Sequence, residues 1–370
     1  MTTRKSHHYV PQFYMRLFSG PTAGRIGVYL IEKDRFIPGA SIKGQACKDH
    51  FYGTDGVAEE AFGKIENATA PVLKAIMEGS LPQPDSAAYH ALILYLALQH
   101  SRTIEAEAQL AEGAEQAMRA MLRTKFELEG NQSMLEGLEL VRIRRTHAIG
   151  DAVMAGTIGS MLLTDLTLLR VHNDSDVPFL ASDAPVVLHN RMYEATKAVG
   201  TAGYASVGLQ LFLPLGPHDL LLGYDAGAYA PVGEADGTIC FDDPAVARLL
   251  NDLQWEVAGA VMLTSPAMDE VEMRSAAARW LPYRGGPRLI VRHEIVSRTE
   301  DEVRSRQGAG PRPSIIALDL PFLRQTLPSP PPLGDYEVAP SRDPVRDAMA
   351  RQAWEDMLAF ADQMGRSPSG

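Results

Sequence analysis

The middle third of the chain repeats its apolar residues with the period of an α-helix, and the segments on either side carry the patterns of β-strands. Phe62, Ile65 and Val72 fall on one stripe of a helix that begins near residue 57. Further helices are predicted over residues 85–108, 109–129 and 132–160, and the first of these is apolar on nearly every side near its middle, as in a buried central helix. This order predicts an α+β protein with an N-terminal β-hairpin, an all-α helical middle and a mixed or antiparallel C-terminal sheet.

The strand patterns are short and are separated by turn residues. They cover residues 26–31 and 35–37, which form the hairpin, and residues 162–171, 178–181, 186–188, 207–213, 220–224 and 239–241. A helix over residues 244–257 follows, with Asp242 or Asp243 as its cap. These elements are expected to form one domain over residues 1–300.

The composition changes after residue 300. Residues 301–342 contain runs of proline that predict an extended linker. Residues 343–370 predict one amphipathic helix and a frayed end, with Ala348, Trp354, Leu358 and Phe360 as candidate contacts. We expect this extended Pro-rich tail ending in a helix to offer a surface to a protein partner.

The net charge, the number of cysteines and the length of the apolar runs count against several classes of function. A net charge of −11 and a pI near 5.4 count against a broad surface for nucleic acid, although a local basic groove stays open. Cys47 and Cys240 are too few for a disulfide framework or a cysteine-rich zinc site, and are expected to be reduced and buried. The longest apolar run, residues 91–98, is shorter than a membrane span, and no signal peptide is visible, so we expect a cytoplasmic protein without a membrane partner.

The start of the chain combines chemistry with hydrophobic anchors. His7 and His8 precede a proline and then Phe13 and Leu17, which predict a short helix that packs inward. In an extended segment the two imidazoles point to opposite faces, so both cannot easily bind one metal ion. One of them can act as acid or base while the other packs.

Helical spacing places several polar residues on apolar faces. Glu59 and Glu66 lie seven residues apart, which puts both at the edge of one stripe. Gln99 shares a face with apolar residues of the next helix and Arg102 lies on its flank, so both must be paired if they are buried. Glu59, Glu66 or Asp183 are the natural partners, and a purely structural bridge between helices is an equally simple interpretation.

Asp183 lies in the sequence Ser-Asp-Ala-Pro between two short apolar strands. An aspartate at the end of a strand is a common ligand for a substrate or a metal, and it is equally common in turns.

A second pattern is Arg142 followed five positions later by His147. In a helix this spacing resembles the ribonuclease motif of HEPN domains, which are all-α nucleases that cut RNA without a metal. A plain basic helix face explains the same residues. The phosphate-binding loop, the His-Glu-x-x-His motif, the Gly-x-Ser-x-Gly motif and the Cys-x-x-Cys motif are absent from the sequence.

The His-His-Tyr-Val-Pro-Gln-Phe-Tyr segment that starts at His7 resembles the opening of the bacterial family named domain of unknown function 4238. The Phe51-Tyr52 pair with Glu59 and Glu66 resembles it too, as do the segments at residues 98–103, 179–185, 212–217 and 250–254. The resemblance covers about residues 5–265, and it departs from the usual pattern at Ala184, where Asn is common, and at Gly216, where Ser is common. The family name carries no activity, but the resemblance implies that these motifs belong to one domain.

These residues together suggest a hydrolase, most plausibly a nuclease or phosphodiesterase. The predicted catalytic residues share one pocket and are His7, His8, Glu59, Glu66, Gln99, Arg102 and Asp183. His8, Glu59, Glu66 and Asp183 would bind a divalent metal, Mg²⁺ or Mn²⁺, and Arg102 would steady a phosphate of the substrate. The alternative is a non-enzymatic ligand- or protein-binding module, such as a sensor or a toxin or defence component, whose polar cluster is a structural network.

Overall fold

The computed structural model of the chain describes residues 5–20, 24–145, 148–284, 289–299, 303–335 and 338–366. The first elements are β1 (Ser6–His8), α1 (Gln12–Met15), β2 (Arg25–Leu30), β3 (Arg35–Ser41) and β4 (Cys47–Asp49). β2 and β3 form the predicted hairpin, which turns at Asp34 in the left-handed conformation, and β1 pairs with β4 in antiparallel register. Both cysteines are free, with Cys240 exposed and Cys47 partly exposed, so the prediction of buried thiols is wrong.

The helical middle is present, but three of the predicted helices have different bounds, since the helix expected over residues 109–129 already begins at Ile104. The helices are α2 (Val57–Met77), α3 (Ala87–Ser101), α4 (Ile104–Leu128), α5 (Gln132–Leu140) and α6 (Ala148–Gly159). The helix expected over residues 85–108 ends at Ser101, because the Thr103 hydroxyl accepts a hydrogen bond from the Ala106 N–H and caps α4. The helix expected over residues 132–160 is two helices, and Arg119 satisfies the C-terminal end of α5 by donating to the Leu138 carbonyl at 2.7 Å.

The C-terminal half contains the larger sheet. Its elements are β5 (Thr167–Asn173), β6 (Ala181–Ser182), β7 (Val187–His189), β8 (Gln210–Pro214), β9 (Asp219–Tyr224), β10 (Tyr229–Pro231), β11 (Thr238–Phe241), α7 (Pro244–Val257), β12 (Val261–Thr264) and α8 (Glu270–Trp280). Five strands pair in the order β11-β5-β9-β8-β7, with β11 parallel to β5 and the other pairs antiparallel, as predicted for a mixed sheet. Asp243 caps α7 through the Ala245 N–H at 2.8 Å, which confirms the predicted start of that helix.

A second sheet joins the two ends of the domain. Its order is β3-β2-β12-β6, and all its pairs are antiparallel. Tyr29 of the N-terminal hairpin pairs with Met262, which pairs on its other side with Ser182. The hairpin is therefore the edge of a sheet completed by residues more than 150 positions later.

The segment beyond the second sheet packs against the domain. It contains β13 (Leu289–Arg298), β14 (Val303–Pro311), β15 (Leu323–Gln325) and α9 (Pro344–Arg366). Within the region expected to be a linker, Ile316, Leu318 and Phe322 are buried in the core that also holds Trp255. This region was expected to be an extended linker, but its apolar side chains add to the core. Among the described residues no helix combines the length and apolar character that crossing a membrane requires.

Candidate functional site

A cleft of about 730 Å³ lies between the N-terminal segment and α2. Its polar lining comes from both sides, with His8, Gln12 and Arg16 on one side and Glu59 and Glu66 on the other. The two glutamates face the same cleft, as their spacing of seven residues in a helix predicts. A volume of this size is typical of small-molecule sites in proteins.

The short strand β1 separates the two histidines. His7 is buried, its ring stacks on Tyr52 with centroids 5.8 Å apart, and its Nδ1 accepts the Tyr52 backbone N–H at 3.2 Å. His8 is half-buried and lines the cleft. The alternation of an extended strand therefore assigns packing to His7 and access to the cleft to His8.

A chain of hydrogen bonds holds the His8 ring. A ring nitrogen facing a carbonyl oxygen must carry the proton, so Nδ1 donates to the Gln45 carbonyl at 3.1 Å and Nε2 is an acceptor. Gln12 donates its amide N–H to that Nε2 at 2.8 Å, and Arg16 donates to the Gln12 Oε1 at 3.3 Å. These bonds connect an unprotonated imidazole nitrogen of His8 to the exposed guanidinium of Arg16 through the Gln12 amide.

A buried network behind the cleft positions Glu66. Arg102 is 2% exposed and its Nη1 donates to the Glu66 Oε1 at 2.8 Å. Its Nε and Nη2 both donate to the Gln99 Oε1, at 3.1 and 3.0 Å, and the Gln99 amide donates to the Tyr9 carbonyl at 3.0 Å. The pairing of Arg102 with Glu66 was one of the options that the sequence left open.

The surroundings of Arg102 keep it charged. Burial acts to lower the pKa of Arg102, but the neighbouring Tyr52 and Glu66 together raise it above its ordinary value. The guanidinium also lies 5.0 Å from the centroid of the Phe62 ring, a cation–π distance. Three of the five N–H donors of the guanidinium are bound to Gln99 and Glu66, and Arg102 does not line the cleft, so it is not placed to contact a substrate phosphate there. It acts by positioning Glu66.

Tyr95 adds an unusual feature to this network. Its hydroxyl is buried and has no hydrogen-bond partner among the described residues. Its ring packs on Phe13, which lines the cleft, with centroids 5.7 Å apart. Burial raises the pKa of Tyr95 well above its usual range, so the phenol stays neutral.

Asp183 lies outside this arrangement. Its two carboxylate oxygens accept the backbone N–H groups of Gly259 and Ala260, each at 2.7 Å, and it does not line the cleft. Burial raises the pKa of Asp183, and these backbone donors partly oppose that rise. Arg284 donates to the carbonyls of Ala258 and Gly259, so the turn between α7 and β12 is held from both sides. The pocket predicted to include Asp183 is therefore assembled without it, because the turn uses the carboxylate as a backbone cap.

The four predicted metal ligands do not all lie in the cleft. Among the residues that the structure describes, no group of three or more His, Cys, Asp or Glu side chains is arranged to hold a metal ion. Glu59, Glu66 and His8 line the cleft, but the fourth predicted ligand, Asp183, does not. A metal held by four protein ligands is thus not what this geometry offers.

The alternative ribonuclease motif does not lie on a helix. Arg142 belongs to residues 141–145, which have no regular secondary structure between α5 and α6, and it is exposed. His147 lies outside the described residues. The helical spacing on which that resemblance rests is therefore absent at Arg142.

Three basic residues of the cleft were not among the predicted site residues. Lys5, Arg16 and Lys43 line it, and all three are exposed. Arg16 could have been recognised from its position four residues after Gln12, directly after α1. Lys43 follows β3 in the chain and gives no local signal, because only the packing of the hairpin against α1 brings it to the cleft.

Comparison with known proteins gives one match. The model of a family described as a protein of unknown function (DUF4238) matches residues 6–263. No curated protein and no solved structure matches the chain. The matched region contains β1, the Arg102 network, Asp183 with the backbone groups that it caps, and all of the cleft lining except Lys5. The chain belongs to the DUF4238 family.

Proposed function

We propose that this protein is a hydrolase of phosphodiesters and that the cleft between the N-terminal segment and α2 is its active site. The observation that carries the proposal is the lining of the cleft. It brings His8 and the carboxylates of Glu59 and Glu66 together with the exposed cations Arg16 and Lys43. A base, carboxylates and cations in one cleft are the groups that phosphoryl transfer requires.

His8 is proposed as the general base. Its Nε2 is the acceptor nitrogen, and the bond from Nδ1 to Gln45 fixes the tautomer. In this structure Gln12 donates to Nε2, so the amide must turn aside for a water molecule to approach. A phosphate bound by Arg16 would draw the guanidinium away from Gln12 and so favour that movement.

Glu66 and Glu59 are proposed to act as a carboxylate pair. Arg102 holds only Oε1 of Glu66, and among the described residues Oε2 accepts no hydrogen bond. Mg²⁺ and Mn²⁺ are commonly bound by one or two carboxylates together with waters and substrate phosphates, so Glu59 and Glu66 suit such an ion even without further protein ligands. When bound, the ion would polarise the phosphoryl group and lower the pKa of a bound water molecule.

The proposal is tested by hydrolysis of bis(p-nitrophenyl) phosphate and of a single-stranded oligonucleotide, each with Mg²⁺, with Mn²⁺ and with a chelator. Removing a catalytic base or metal carboxylate costs on the order of 10²-fold or more in kcat. We expect that loss in Glu66→Gln and in His8→Asn. Glu60→Gln is the matched control, because Glu60 lies on the exposed side of α2 and pairs with Lys64. Absence of cleavage under all three conditions, or cleavage that Glu66→Gln leaves intact, would refute the proposal.

A second candidate function is protein binding through α9. Four large apolar side chains of this helix are exposed: Val345, Met349, Leu358 and Phe360. Val345, Met349 and Phe360 lie within about 60° of one another around the helix axis, and a helix face of this kind can lie in the groove of a partner. The test is recovery of a bound protein by the wild type and by Met349→Ser/Phe360→Ser. Recovery by the wild type alone would support this function, and equal recovery by both would count against it.

A further inference from the structure

A second cavity, of about 540 Å³, shares no lining residue with the cleft. It lies where the ends of β7, α7 and α8 meet residues 311–314, which follow β14. Its size is again typical of sites for small organic molecules. None of the residues singled out from the sequence lies on its wall.

Aromatic rings form much of the wall. Four aromatic residues line the cavity: Tyr193, Trp255, Trp280 and Tyr283. They include two of the three tryptophans of the chain. The rings of Trp280 and Tyr283 are tilted, with centroids 5.9 Å apart, and the Trp280 N–H donates to Asp252 at 2.6 Å. Tyr283 is 57% exposed at the rim, so its ring is accessible from solvent.

The wall carries more negative than positive charge. Its carboxylates belong to Glu32, Glu105, Glu194 and Glu256, and its guanidinium groups belong to Arg284 and Arg312. Arg284 donates to two backbone carbonyls, those of Ala258 and Gly259, and so is held by the α7–β12 turn.

Two neutral donors hold the Glu256 carboxylate in place. Its carboxylate accepts the Ser314 hydroxyl at 2.7 Å and the Ile315 N–H at 2.8 Å. Both donors are neutral, so they orient the carboxylate without cancelling its charge. The anionic side chain is thus fixed in position at the cavity wall.

One more observation points to a ligand. Trp255 is 1% exposed, and its indole N–H has no acceptor among the described residues. The same is true of the Asn190 Oδ1, which lacks a donor, and Asn190 also lines the cavity. A buried polar atom without a partner destabilises the fold; an ammonium group can donate a hydrogen bond to the Asn190 Oδ1, whereas the Trp255 N–H would need an acceptor, which an ammonium group lacks.

We propose that this cavity binds an organic cation of the polyamine class. Ammonium groups would pair with the carboxylates of Glu32 and Glu256, and the aromatic rings would provide cation–π contacts and pack against the methylene chain. A bare metal ion fits less well, because aromatic walls offer it no ligands and the described residues contain no group of three metal-binding side chains. The proposal is independent of phosphodiester hydrolysis, since the two sites share no residue.

The test is a calorimetric titration of the full chain with spermidine at low salt. We expect one saturable site per chain. An exposed cation–π contact and an exposed ion pair are each weak interactions, so we expect Tyr283→Ala and Glu32→Gln each to weaken binding by about threefold to fivefold. The double variant should weaken binding by about tenfold.

Glu127→Gln is the matched control, because Glu127 is an exposed glutamate of α4 away from the cavity. It should bind spermidine as the wild type does. Tyr283 and Glu32 are exposed, so their variants should unfold at the wild-type temperature. The proposal is overturned if spermidine does not bind, if it binds without saturation, or if Glu127→Gln weakens binding as much as Glu32→Gln. Saturable binding of inorganic phosphate that Tyr283→Ala abolishes would also overturn it.

Discussion

Replacing Arg102 by methionine tests the buried network directly. The methionine side chain keeps most of the volume of the arginine stem but removes all of its hydrogen bonds. Gln99 then loses both donors to its Oε1, and that oxygen stays buried. An unsatisfied buried acceptor costs on the order of 1–3 kcal/mol.

Glu66 adds a smaller cost. Breaking a fully buried ion pair costs about 3–5 kcal/mol, because the remaining charge cannot be hydrated. The Glu66 side chain is 26% exposed and faces the cleft, so water can hydrate its carboxylate when Arg102 is gone. Together with the lost contact to the Phe62 ring, we expect Arg102→Met to lower the free energy of unfolding by about 3 kcal/mol.

The measurement is urea denaturation followed by tryptophan fluorescence at pH 7. Arg16→Met is the matched control, since the exposed Arg16 makes a single hydrogen bond at 3.3 Å to a neighbour in the same helical turn. That variant should stay within about 0.5 kcal/mol of the wild type. If Arg102→Met costs less than about 1 kcal/mol, or no more than Arg16→Met, then Arg102 does not hold this network together.

Three further predictions follow from other buried groups. Burial lowers the pKa of His100 to about 4, below its ordinary value of 6.5, so the unfolded chain binds more protons and stability falls as pH drops from 6.5 towards 4. Because His100 is partly exposed, we expect this loss of stability to be about 2 kcal/mol. Urea denaturation at pH 7 and pH 5 should show a smaller fall in the free energy of unfolding for His100→Gln than for the wild type, and an equal fall would show that His100 is not its cause. Tyr95→Phe removes a buried hydroxyl without a partner and should be neutral or stabilising, whereas Tyr14→Phe removes a hydrogen bond of 2.6 Å to a buried carbonyl and should cost about 1–2 kcal/mol; the reverse order of their thermal midpoints would be incompatible with the geometry. Asp183→Asn replaces one of two acceptors for backbone N–H groups by a donor and should cost about 1–3 kcal/mol of stability; phosphodiester hydrolysis per folded molecule should be unchanged, and a selective loss of kcat would show that Asp183 belongs to the active site after all.

The sequence by itself determined the features that depend on local spacing. Strand alternation predicted that His7 and His8 point to opposite faces, and the period of a helix put Glu59 and Glu66 on one face; the structure then showed that His7 is the buried one and that His8 lines the cleft. The α+β order and the Asp243 cap of α7 could be predicted for the same reason. Each of these properties is fixed within one or two turns of chain.

The ends of the helices were predicted less well, because a capping side chain can end a helix where the apolar pattern continues. The apolar pattern runs on past Ser101, but the Thr103 hydroxyl satisfies an N–H of the next helix and ends the first one there. Both helix segments keep their apolar faces, so the pattern alone cannot reveal the break.

Only the tertiary structure decided how distant segments meet. The pairing of β2 with β12 depends on closing a loop of more than 200 residues. The alternation of apolar and polar residues in each strand shows which face is buried, but it does not show which strand pairs with it. That pairing fixes the α7–β12 turn, whose N–H groups bind Asp183 and remove it from the predicted pocket. The sequence shows which chemical groups are present, but it does not show which groups contact one another. Those contacts depend on long-range packing, because segments far apart in the chain bury their apolar surface against each other.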